Sequence, residues 1–163
     1  MTIVSVRRVI GAGLAAMLLL ASVSTAWAKP KKCFTKFEQS AEQVVRLGLR
    51  LREGALACND MPWNKHTKSQ WEKLNSAFGS RFAQQTDLRK KAFQREFEKN
   101  SDTVIAQWDA RTVYFYRYHP MSDVYCDSLI KLMTDIEKKG WSYLASQAAK
   151  GGDEVKMDYR LCP

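Results

Sequence analysis

The chain has two histidines, His66 and His119, and each has a methionine nearby, Met61 before the first and Met121 after the second. Imidazole with thioether is a ligand set suited to copper. If the two segments converge, Met61, His66, His119 and Met121 could hold a copper ion, and the protein would be a metal carrier. The four residues carry no motif spacing, and loop histidines and methionines more often serve packing than ligation. Copper is the one cofactor that the residue types raise.

Other chemistry is thinly represented. There is no H-E-x-x-H, no glycine-rich phosphate loop, no G-x-S-x-G and no calcium-loop pattern. No C-x-x-C occurs, so no thioredoxin-type redox pair is present. Glu38 with Glu42, and Glu96 with Glu98, are carboxylate pairs in charge-mixed helical stretches, and they read as solvated helix faces. A hydrolase of cell-wall polymer built on dispersed carboxylates needs no local motif and stands as a further alternative.

The densest cluster of recognition-type residues is Arg111 to Pro120, RTVYFYRYHP. Helix spacing in the residues before it favours a helix here over an isolated strand. At about 100° per residue, consecutive rings cannot all enter one core. Phe115 is expected to follow Trp108 inward, and Tyr114 and Tyr118 share another face. With Arg117 between them and Trp63 in the facing turn, they form the candidate contact surface, since aromatics and arginine are enriched at binding hot spots. Each tyrosine taken singly is explained by a packed ring and a wet hydroxyl.

The elements that must position these residues are helical. Phe37, Ala41, Val44, Gly48, Leu51, Ala55 and Cys58 step alternately by four and three, a heptad seam with one large and one small row. The small row invites close approach of another helix. Val45, Leu49 and Leu56 form a second apolar strip, which suits a homodimer as well as a further helix. Asn59 to Pro62 ends this element. Thr67 or Ser69 can cap a second helix, read as one element to about Lys99. A third carries Val104, Trp108, Thr112 and Phe115. His119-Pro120 stops it, and Ser122 or Asp123 opens a fourth through Cys126, Leu129, Met133, Ile136 and Gly140. Trp141 to Lys150 extends it past a kink. Gly151-Gly152 is a stop, followed by a polar tail.

The first 28 residues read as a signal peptide. Arg7-Arg8 supplies the positive start, Val9 to Ala21 the apolar run, and Ala26-Trp27-Ala28 the small-x-small cleavage site. The remaining residues, 29–163, read as one helical domain with a short C-terminal tail. The expected location is periplasmic or secreted, in a bacterium. Of 26 basic residues, Arg7 and Arg8 leave with the signal, so 24 stand against 17 acids, a net charge of +7. In that compartment nucleic acid is a poor partner. An anionic envelope component or another protein suits the charge better.

Four cysteines in an exported chain read as two disulfides. Cys33 and Cys58 bracket one helix and are therefore roughly 37 Å apart at 1.5 Å per residue, far beyond the reach of a disulfide. An up-down-up-down four-helix bundle with short loops pairs Cys58 with Cys126 and Cys33 with Cys162. A break of the second helix into two antiparallel pieces would flip the parity and favour the crossed pairing. The reading is thus an all-α bundle stapled by two disulfides. Its expected role is non-catalytic binding through Trp63, Tyr114, Arg117 and Tyr118.

Overall fold

The computed structural model describes residues 33–63, 65–118, 121–151 and 159–163. The signal peptide expected at residues 1–28 lies outside them. The described chain is β1 (Cys33–Phe34), α1 (Lys36–Asn59), α2 (Thr67–Phe97), a short 3-10 turn (Glu98–Asn100), α3 (Ser101–Tyr118), α4 (Asp123–Lys139), α5 (Trp141–Lys150) and β2 (Arg160–Leu161). The fold is all-α, with both expected disulfides, Cys33–Cys162 and Cys58–Cys126.

Local chemistry accounts for the helix ends. Thr35 and Glu38 form a reciprocal capping box at the start of α1, satisfying two backbone N–H groups that the first turn leaves unbonded. Ser122 caps α4 by accepting from the Tyr125 N–H. The expected side-chain cap on α2 is absent. His66 occupies the N-cap position at φ 55°, and the Thr67 hydroxyl instead donates to the Ala55 carbonyl at 2.6 Å. That bond ties the second helix to the first, and it removes the hydroxyl from capping. α2 is one helix of 31 residues, which keeps the parity that the disulfides require.

Apolar burial is divided between two clusters. The larger joins Leu51, Ala55 and Cys58 of α1 to Leu129, Met133 and Ile136 of α4 and Leu144 of α5. The smaller joins Phe34, Ala92, Phe93 and Trp108. Tyr159 from the C-terminal tail stacks on Trp108 at 4.7 Å between ring centroids. The small row of the α1 seam works as its composition implies. A Cβ on Gly48 would lie 3.0 Å from the Phe82 ring, and one on Gly54, next to the row rather than in it, would come equally close to Leu129 and Tyr125. The large row fails at its first member, because Phe37 is 65% exposed. Phe115, expected to follow Trp108 inward, is only half-buried, and Tyr116 is buried in its place. The inner row of α3 therefore runs Trp108, Thr112, Tyr116 in steps of four. The tail also forms a short parallel pairing, Cys33 with Arg160 and Phe34 with Leu161, where a plain polar tail was expected.

Two features leave one side of the bundle open. Gly140 sits at φ 79°, a conformation that costs glycine little, and there the chain turns from α4 into α5. Trp141, at the start of α5, packs on Phe78 and Phe82 of α2. Lys150, at its end, lines a cleft with Tyr116 of α3. α5 thus crosses α1 from the α2 side toward the α3 side. α1 and α2 form the packed centre, with α3 against both of them and α4 against both of them, while α3 and α4 do not pack along each other.

Candidate functional site

At the end of the bundle near the Cys58–Cys126 disulfide, the turn after α1 is pinned to α4. The Lys65 ammonium bridges Asp123 and Asp127, and these two carboxylates hold it above the ordinary lysine range. Met61 is half-buried in this turn, and His66 is exposed. The Met121 sulfur packs 4.0 Å from the Cys58 sulfur, within the larger apolar cluster. His119 lies outside the described residues. Met61, His66 and Met121 therefore occupy one end of the molecule, but Met121 is committed to the core. Among the described residues no group of three His, Cys, Asp or Glu side chains is placed to hold a metal ion.

The aromatic surface divides in the same way. Tyr114 and Tyr118, one helical turn apart, are each 66% exposed, and their ring centroids are 4.4 Å apart. Arg117 turns from them to α1, where its Nη2 donates to Glu53 at 3.0 Å. Glu53 is buried and is also bonded by Arg52 Nε at 2.8 Å. Arg117 thus shares one carboxylate with Arg52, and its side chain stays 58% exposed. Trp63 is 38% exposed in the α1–α2 turn. The structure joins the two tyrosines, ties the exposed Arg117 to Glu53 of α1 and leaves Trp63 on a separate element.

The carboxylates correct the sequence expectation. Glu42, read as part of a solvated face, is fully buried. Its Oε1 accepts from Trp108 Nε1 at 2.8 Å, and its Oε2 accepts from Arg89 at 3.2 Å. Arg46 Nε is a further neighbour at 3.5 Å. Arg89 completes the network with a two-pronged contact to Asp109, at 2.6 and 2.7 Å. Burial raises the Glu42 carboxyl above its ordinary range, while Arg89 and Arg46 pull it back. Glu38 behaves oppositely. Its bond to Arg95 holds it below the usual range. Neither network has a local sequence signal, because Arg89 and Trp108 reach Glu42 from 47 and 66 residues away.

One concavity among the described residues is a cleft of about 270 Å3 between α3 and the α4–α5 leg, and another, lined by Trp108, Arg111 and Tyr159, lies beside α3. Gln43, Arg46, Leu47 and Arg50 of α1 form the floor of the first, Tyr116 stands on one side, and Leu132, Gln147, Ala148 and Lys150 stand on the other. Among the described residues no carboxylate lines the first cleft. No family model, curated protein or solved structure matches this chain.

Proposed function

We propose that this protein is an exported, non-catalytic binding or accessory protein that docks a protein partner through the Tyr114–Tyr118 face of α3. The observation carrying this reading is the adjoining, two-thirds exposed tyrosine pair on a helix held in a double-stapled bundle. Adjoining tyrosines offer a large amphipathic contact area with few rotatable bonds to freeze. The two rings supply the exposed apolar area of the patch, with Arg117 beside them tied to Glu53, and aromatic area of this kind suits a protein partner. Two disulfides and the signal-like residues 1–28 support an oxidising compartment. No helix among the described residues is long and apolar enough to cross a membrane.

The test is capture from bacterial envelope extract, comparing the native chain with Tyr114→Ala/Tyr118→Ala, both checked for helicity and intact disulfides. Partner recovery should fall by about tenfold or more, the scale of losing one hot-spot residue. Unchanged recovery by the double variant removes this face as the docking surface. Binding of the native chain to anionic vesicles, with no protein recovered, assigns the surface to lipid instead.

A further inference from the structure

We infer that the partner of the Tyr114–Tyr118 face is a second copy of this chain, its α3 packed antiparallel to the first about a two-fold axis at Ala110. This rests on the docking reading of that face and names its occupant. The solvent side of α3 is built in two sizes. Thr103, Ala106, Gln107 and Ala110 are exposed on its first half, and Tyr114, Arg117 and Tyr118 are exposed on its second. Trp108, Thr112 and Tyr116 take the opposite side and are buried.

Thr103, Ala106, Gln107 and Ala110 stand at i, i+3, i+4 and i+7. Four residues so placed form a hole that receives one knob from a facing helix. Three of the four are small, which leaves room for a ring. Tyr114 lies four residues after Ala110, and the centre of the hole lies about the same distance before it. Antiparallel pairing about Ala110 therefore seats Tyr114 of each copy in the hole of the other, and the two-fold axis repeats the contact. Ala110 meets its own counterpart, and its small side chain lets the two helices approach closely. Parallel pairing would set Tyr114 against Tyr114 and Ala106 against Ala106. The rings would then hold the helices apart while the alanines faced a gap.

Charge selects the same orientation. The Asp102 and Arg117 side chains are well exposed. They sit at opposite ends of α3, roughly 22 Å apart at 1.5 Å per residue, and do not meet within one chain. In the antiparallel pair each Arg117 comes level with Asp102 of the other copy, on the same flank, so two ion pairs border the seated rings. Lys90 approaches Asp102 only to 3.7 Å. Arg117 gives Nη2 to Glu53, and a guanidinium has further N–H donors to offer. One pair of 18-residue helices is at the low end of specific interfaces, so self-association belongs in the micromolar range.

Sedimentation equilibrium from about 1 to 100 µM, which spans that range, should show monomer and dimer in exchange. Tyr114→Ala/Tyr118→Ala should weaken the dimer by about tenfold or more. Asp102→Lys and Arg117→Asp should each weaken it, and the two in one chain should restore it, because the exchanged charges still face each other. Cysteine cross-linking under mild oxidation, with the native disulfides left closed, reads the orientation. Ala110→Cys should give a covalent dimer. Ala106→Cys alone should not, since the two copies of that residue are roughly 12 Å apart along the pair, but a mixture of Ala106→Cys and Tyr114→Cys chains should. A chain that stays monomeric throughout, while the tyrosine variant still loses capture from envelope extract, overturns the second copy as partner and leaves the docking reading standing. A monomer whose capture is also unchanged removes both. A dimer indifferent to the tyrosine substitutions, or cross-linked through Ala106→Cys alone, overturns the antiparallel α3 pairing.

Discussion

Glu38 and Glu42 stand one turn apart on α1 and respond to acid in opposite directions. Arg95 on α2 lowers the Glu38 carboxyl in the folded state. The stability it contributes is present above its unfolded value, near 4.5, and is lost as pH falls through the folded value. Burial raises Glu42, so its contribution falls as pH climbs from 4.5 through the folded value. Glu38→Gln should therefore be less stable than the native chain at neutral pH, and the difference should close below pH 4.5. Urea midpoints measured across that range check the sign, and a difference independent of pH would contradict it. Neither behaviour is legible from the residues alone. Both carboxylates have local neighbours typical of a wet helix face, and their partners are supplied by distant helices.

At the scale of the element, the α1 seam was readable because small and large residues alternate with helical spacing over most of its length. Gly48→Val should cost about 1–3 kcal/mol, the usual range for overpacking, because the new methyls meet the Phe82 ring. Gly48→Ala should cost much less, since gained helix propensity of about 1 kcal/mol offsets a smaller displacement of the ring. Denaturant unfolding of the two variants, repeated with Phe82→Ala, separates these terms, and the valine penalty should shrink once the ring is gone. The seam misleads at Phe37 for a geometric reason. Phe37 and Glu42 lie roughly 140° apart around α1 at 3.6 residues per turn. At this end the helix turns Glu42 toward α2 and α3, which leaves Phe37 outside. α3 departs from expectation similarly. It packs on α1 and α2 but not along α4, and its inner row follows steps of four through Tyr116, where a step of seven from Trp108 led to Phe115.

For the whole molecule, the disulfide pairing followed from helix parity, so topology was legible before any contact was known. The open side was not, because it depends on α5 turning across α1 at Gly140, and a glycine in sequence does not state the direction of a turn. Replacing Cys58 and Cys126 together by serine should lower stability by about 4 kcal/mol in the chain-entropy account. A loss below about 1 kcal/mol in equilibrium denaturation would mean that the unfolded chain is already constrained.

Tyr159, which covers Trp108 and meets Phe34, Phe93 and Phe97, follows every described helix in chain order. The aromatic chamber it seals has no roof until that segment docks on residues far upstream of it. The larger cluster, completed by Leu144 and Ala148, needs nothing beyond α5. The two halves of the molecule can thus form one after the other, with the segment around Tyr159 as the latch of the second.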